Sequence, residues 1–175
     1  MAERSEQLIR KAQATHCLTR QDIAELLGDA DCEERLAQAA DAVRQEFVGD
    51  GVHLRGLIEF SNICRQDCCY CGLRRDNRRI ERYRLTPDEI VELARKAKGY
   101  GYRTVVLQSG EDPYFSVPVL CHILQRIKKM DLAITLSIGE RSREEYQAFR
   151  AAGADRYLLR IETTDAELYH RYDPA

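Results

Sequence analysis

The 175-residue chain carries 27 Lys and Arg against 29 Asp and Glu, a formal charge of −2, with 44% hydrophobic and 32% charged residues. That balance excludes a disordered chain of low hydrophobicity and argues against a dedicated nucleic-acid binder. No apolar run approaches the roughly 18 residues of a membrane span. The stretch from Met1 to Arg10 is charged and lacks the apolar core of a signal peptide. The expected compartment is therefore the cytosol or an equivalent reducing space, where seven cysteines point to metal ligands or reactive thiols rather than disulfides.

In chain order, the first fifty residues read as helical. Leu8, Ile9 and Ala12 share one face before a break near Thr15. Thr19 with Asp22 forms a T-x-x-D cap for a short helix, Gln21 to Leu27, ended by Gly28. A third helix is expected from Cys32 or Glu33 to Phe47, with Leu36, Ala39, Ala40, Val43 and Phe47 as its apolar stripe. From Val52 strands alternate with helices. Val52 to Phe60 is the first expected strand, and Ser61 to Leu85 a long polar loop. Thr86-Pro87-Asp88-Glu89 combines an N-cap, an N1 proline and a capping-box glutamate, and predicts a helix to about Lys98. Thr104 to Ser109, Leu132 to Ser137 and Asp155 to Arg160 are the next expected strands. Helices are expected at about Val117 to Lys129, from the Ser142-Arg143-Glu144-Glu145 capping box to Ala152, and from Asp165 to Tyr172.

Four successive β-then-α units call for right-handed crossovers and a mainly parallel sheet. The expected fold class is α/β, a (β/α) TIM-type barrel of which about the first four units are present, with a doubly wound sheet as the alternative. The expected domains are a helical N-terminal extension over 1–51 and half of a barrel over 52–175. Four units are half of the usual eight. The stop at Asp173-Pro174-Ala175 without a closing element also suggests a fragment.

Four of the cysteines, Cys64, Cys68, Cys69 and Cys71, fall within eight residues. Cys64, Cys68 and Cys71 make C-x3-C-x2-C. Three thiolates on one compact loop can hold three corners of a 4Fe–4S cube. The fourth iron stays open, which implies chemistry rather than a structural role. The alternatives are a zinc site or a chance cluster. Cys68 and Cys71 are half of a zinc knuckle, but no second C-x2-C or H-x3-H pair follows at a fitting distance. A redox pair of the thioredoxin type would need a helix to start at the first cysteine. Cys69 reads as a thiol outside the triplet.

The signature C-x3-C-x-aromatic-C after the first strand of a (β/α) series resembles the radical S-adenosylmethionine superfamily. Ile58-Glu59-Phe60-Ser61-Asn62-Ile63-Cys64, Cys71-Gly72-Leu73-Arg74-Arg75-Asp76-Asn77, Val106-Leu107-Gln108-Ser109-Gly110-Glu111-Asp112 and Ala154-Asp155-Arg156-Tyr157-Leu158-Leu159-Arg160 are similar to the HydE-type maturases of FeFe-hydrogenase. The wider branch includes biotin-synthase-like and methylornithine-synthase-like enzymes acting on carbon substrates. The resemblance implies a 4Fe–4S cluster on Cys64, Cys68 and Cys71, with S-adenosylmethionine chelating the open iron. Its reductive cleavage would give methionine and a 5′-deoxyadenosyl radical. The implied partners are a small iron–sulfur or iron–cysteine precursor, other hydrogenase maturases and a reductant such as ferredoxin or flavodoxin. Family members are about twice this long. A cluster-carrying or zinc-binding interaction module is the non-enzyme alternative; it leaves the polar residues at successive strand ends unexplained.

The resemblance places Tyr70 against the adenine and the Ser109-Gly110-Glu111 segment, largely through backbone, against the methionine amino group. Arg160 and Glu162, two apart on the fourth expected strand, would share an inward face. Arg160 suits a carboxylate of cofactor or substrate, and Glu162 an ammonium or ribose hydroxyl; otherwise they pair with each other. Gln108 and Thr135 are candidate substrate contacts at strand ends, with Ser137 as a further polar lining residue. Arg55 shares a face with Glu59 on the first strand and is a further substrate candidate, or half of a buried ion pair. The basic stretch Arg74, Arg75, Arg78, Arg79, Arg82 and Arg84, interrupted by Asp76 and Glu81, reads as a solvated loop or a protein-docking surface rather than a nucleic-acid patch. The four histidines show no ligand spacing.

Overall fold

A computed structural model describes residues 2–172; Met1 and the expected terminal stop at Asp173-Pro174-Ala175 lie outside the described residues. The chain forms two compact units, 1–53 and 54–175.

The first unit is helical: α1 (Ala2–Thr15), α2 (Arg20–Gly28), a 3-10 turn (Ala30–Cys32) and α3 (Glu33–Val48). Thr19 caps α2 as a full capping box with Asp22. Asp22 also takes Lys11 Nζ at 2.6 Å and Arg4 at 3.4 Å. The Lys11 bond, with the Thr19 N–H and hydroxyl, holds its carboxyl down at about 2. The core is small: Leu8, Ile9, Leu26 and Cys32 are buried, with Leu18, Leu36 and Ala39 packed beside them. The expected stripe on α3 is only half used. Leu36 and Ala39 pack inward, whereas Phe47 is 66% exposed and meets the His16 ring edge-on, 5.9 Å between centroids.

The second unit is β1 (Gly56–Ser61), α4 (Pro87–Gly99), β2 (Thr104–Ser109), α5 (Val117–Lys128), β3 (Ala133–Ser137), α6 (Arg143–Ala152), β4 (Arg156–Tyr157) and α7 (Ala166–Tyr172). The sheet is parallel throughout, in the order β1-β2-β3-β4. A doubly wound sheet reverses its strand order at a switch point, whereas a barrel adds strands in sequence. The core agrees with the barrel arrangement. Ile58, Phe60, Val105, Leu107, Ile134 and Leu136, alternate residues of three strands, join Ile90, Leu120, Ile123, Leu124 and Phe149 from the helices in one buried cluster. The intervening residues form cross-strand rows on the other face: Leu57–Val106–Thr135–Arg156, and above it Glu59–Gln108–Ser137.

Two strands are shorter than expected. Pairing with β2 begins at Gly56↔Val105, so residues 52–55 have no ladder partner and form no strand. At the far side, β4 pairs only through Arg156 and Tyr157, and its outer edge has no neighbour among the described residues. Asp155 meets β3 twice, its N–H donating to Ile134 O at 2.9 Å and its carboxylate taking the Ile134 N–H at 2.8 Å as well as Lys128 Nζ. Arg160 and Glu162 therefore lie beyond the strand, and the strand-parity argument for their shared face does not hold. Glu162 has a left-handed backbone, φ 49°.

Candidate functional site

The ends of β1, β2 and β3 and the loops after them enclose a cavity of about 820 Å³. Its floor is the upper row of the sheet, where Gln108 Nε2 donates to Glu59 Oε1 at 3.2 Å. One wall is the cysteine loop with Cys64, Cys68, Tyr70 and Cys71; facing it are Ser109, Gly110 and Glu111, then Arg160 and Glu162. The site thus sits at the C-terminal mouth of the strands, where barrel active sites gather.

The loop from 62 to 86 has no helix or strand of its own, yet its backbone is closely held. The Cys71 N–H donates to Cys68 O, the Arg75 N–H to Gln66 O and the Cys69 N–H to Tyr172 O. Asn62 bridges to the returning segment, donating to Glu81 O and accepting the Tyr83 N–H at 2.7 Å each. Two sulfurs receive backbone hydrogen bonds at 3.4 Å: Cys64 Sγ from the Glu111 N–H and Cys71 Sγ from the Leu73 N–H. No disulfide joins the cysteines.

The second wall is fitted to the first. The Gly110 N–H donates to Ser61 O. A Cβ at Gly110 would lie 2.4 Å from Ile63 O and 2.8 Å from Cys64 Cβ, so only glycine lets the β2 loop lie against the first cysteine. Glu111 is not a solvated acid. Its carboxylate accepts from Arg65 Nε at 2.9 Å, Gln66 Nε2 at 3.1 Å and the Glu140 N–H at 2.9 Å. It therefore links the cysteine loop to the loop after β3. Asp112 is buried and takes both Arg84 Nε and a terminal nitrogen at 2.7 and 2.8 Å, and the Ser61 hydroxyl at 2.7 Å. Burial would push its carboxyl up, but these bonds and the Tyr114 N–H leave it below the usual range.

The expected site residues are not all brought together. Tyr70, Gln108, Ser109, Gly110, Glu111, Arg160 and Glu162 line the cavity with the three cysteines. Arg160 and Glu162 form no ion pair with each other, and Arg160 has no side-chain partner among the described residues. Thr135 is buried in the row below the floor and does not line the cavity. Arg55 is exposed, precedes β1 and stands at the opposite end of that strand. Cys69 is exposed and outside the lining.

Two arginines depart from the expected solvated stretch. Arg84 belongs to the Asp112 pair and stacks over Tyr114 at 4.4 Å. Arg82 is half-buried and its terminal nitrogens donate to four backbone carbonyls of the cysteine loop: Asn62 at 2.5 Å, Leu73 at 2.9 Å, Arg74 at 2.7 Å and Asn77 at 3.2 Å. Sequence reasoning missed this role and those of Gln66 and Glu140, whose partners are loop carbonyls or an acid distant in sequence.

The donor set suits an iron–sulfur cube with three protein ligands. Three soft thiolates share one short loop, and two already receive N–H bonds of the kind that tune cluster sulfurs. Among the described residues no three His, Cys, Asp or Glu side chains converge on a single-ion position. A cube spreads its ligands over separate irons.

Comparison with known proteins agrees with this class. The model of the radical SAM superfamily matches residues 58–174. The chain belongs to that superfamily. It is 52% identical over 158 residues to the [FeFe] hydrogenase maturase subunit HydE of Thermotoga maritima, covering 89% of this chain and 45% of that protein. It is 36% identical to 3-methylornithine synthase of Methanosarcina barkeri, covering 88% and 45%. Among solved structures, methylornithine synthase superposes with a TM-score of 0.81 at 34% identity over 96% of this chain and 51% of that one. The maturase HydG, at 23% identity and a TM-score of 0.89, shares the fold over 100% of this chain and 40% of its own. The chain spans about half the length of the curated relatives it matches.

Proposed function

We propose that this chain forms the cluster- and cofactor-binding half of a radical SAM enzyme of the HydE maturase type, acting in assembly of the FeFe-hydrogenase active site. The observation that carries the reading is one cavity at the strand ends walled by Cys64, Cys68 and Cys71 on one side and Ser109-Gly110-Glu111 on the other. The HydE type is preferred over methylornithine synthase because identity is 52% over 89% of the chain against 36% over 88%.

In this reading Cys64, Cys68 and Cys71 would hold a 4Fe–4S cluster. When bound, such a cluster supplies the electron for reductive cleavage of S-adenosylmethionine. The Glu111 and Leu73 N–H groups hold the sulfurs of Cys64 and Cys71 in place. The 109–111 segment would face the methionine end of the cofactor, Tyr70 would present its ring to the adenine, and Arg160, without a side-chain partner among the described residues, its guanidinium to a carboxylate. Gln108, held by Glu59, presents polar groups to a substrate at the floor. The proposed substrate is a small iron–sulfur or iron–cysteine precursor, with other maturases and a ferredoxin or flavodoxin as partners in the cytosol. No helix among the described residues is long and apolar enough to cross a membrane.

Anaerobic reconstitution with iron and sulfide tests the reading. It should yield a reduced-cluster electron paramagnetic resonance signal that changes when S-adenosylmethionine is added, and Cys64→Ala should remove the signal. Tightly bound zinc without iron would refute it.

A further inference from the structure

We propose that Arg82 is the positioning residue for the three cysteines, a clamp that fixes the loop geometry on which the cluster is built. The inference rests on the cluster reading above. Its four acceptors lie on both flanks of the triplet: Asn62 stands two residues before Cys64, and Leu73, Arg74 and Asn77 follow Cys71. One side chain therefore closes the loop across its open ends. Each terminal nitrogen of a guanidinium carries two N–H groups, and each here serves two carbonyls. Lysine keeps the charge but offers three donors on a single atom, and cannot span four acceptors in a fork.

Two neighbouring contacts make the clamp relevant to the sulfurs. The residue whose carbonyl Arg82 holds at 2.9 Å, Leu73, is the one whose N–H donates to Cys71 Sγ. Asn77, held by the same guanidinium, donates through its side chain to Gly72 O, beside Cys71. Arg82 forms no ion pair with an acid among the described residues. Its guanidinium is held by main-chain carbonyl oxygens on either side of the triplet. Both neighbouring contacts tie the backbone around Cys71 to the Arg82 fork, which holds the three sulfurs in one arrangement.

The test compares Arg82→Lys and Arg82→Gln with the parent chain and with Arg78→Gln, an exposed neighbour. Peptide-level hydrogen exchange is measured on the metal-free proteins, with the β2 and β3 peptides as internal reference. After anaerobic reconstitution, iron content, g-values and midpoint potential are recorded. The expected result is exchange faster on the order of tenfold or more over residues 62–77 in both Arg82 variants, with the sheet unchanged. Iron should fall at least about twofold from the four per chain of a full cluster, and the retained fraction should show altered g-values or potential. Arg78→Gln should match the parent. Parent-like exchange in both Arg82 variants overturns the proposal. So does faster loop exchange with parent-like iron, g-values and potential, since the role would then be structural only. So does equal acceleration of loop and sheet, which marks a general folding role. A parent chain that takes up zinc and no iron defeats the cluster reading instead; loop exchange and zinc stoichiometry in the variants then decide the clamp by themselves.

Discussion

At Gly110 a single hydrogen atom separates the β2 loop from the first cysteine. A methyl group there would meet Ile63 O and Cys64 Cβ well inside contact distance, and both belong to a loop held by other bonds. Gly110→Ala must therefore displace the Cys64 wall. A cost of about 1–3 kcal/mol is expected, as for overpacking elsewhere, together with reduced iron uptake. Denaturant titration and iron analysis of the same preparation check both. Asp112 sets a different kind of constraint. Asp112→Asn keeps the shape but removes the charge that Arg84 grips with two nitrogens. Breaking a fully buried pair costs about 3–5 kcal/mol; Arg84 still reaches water, so about 2–3 kcal/mol is expected. Arg82 shows why such residues escape a reading of sequence. Its partners are main-chain carbonyls, which carry no residue code, and only the path of the loop brings them to one point.

At the scale of elements, the helix starts were legible and the sheet edges were not. Thr19, Thr86 and Ser142 all form the capping boxes their spacing predicts, because a cap is settled by four consecutive residues. Strand length depends instead on the neighbour. β4 pairs only over Arg156 and Tyr157, although the Leu158 N–H still donates to Leu136 O and an apolar run continues to Leu159; among the described residues β3 is its one neighbour. The cavity residues followed the same division. Those on β1 and β2 and in the cysteine loop fell where motif and register put them. Arg55 and Thr135 fell outside because the first is no longer in a strand and the second is one row too low. Caps also give a measurable increment. Thr86→Ala and Ser142→Ala each lose a hydroxyl bond to an N3 N–H, and each should lower stability by about 1 kcal/mol. Urea unfolding of the two single variants and the double variant should show near-additive losses, as the two caps share no partner.

At the scale of the molecule, both units depend on carboxylates held ionised, and this sets the direction of pH dependence. In the first unit Asp22 sits at about 2, chiefly through Lys11 and the Thr19 cap. In the second unit Asp112 and Asp155 are likewise lowered; burial opposes ionisation at both. Bonds from Arg84 and Ser61 at one, and from Lys128 and the Ile134 N–H at the other, outweigh it. A carboxyl whose folded pKa lies below its unfolded value binds its proton more readily in the unfolded chain. The stability it contributes is full above the unfolded value, near 3.9, and is lost as pH falls through the folded value. For Asp22 the window runs from about 4 down to about 2. Thermal melts should accordingly be flat from neutral pH to about 5 with respect to these groups and fall steeply below about 4. Asp22→Asn should flatten the acid fall for the first unit alone, followed by exchange of α2 amides. Asp112→Asn should flatten it for the second, followed at β1 and β2. Among the described residues the first unit has a core of four buried apolar side chains, and the second a core drawn from three strands and three helices. Its amides should therefore exchange first at every pH, and a single transition with uniform exchange across both units would contradict that ordering.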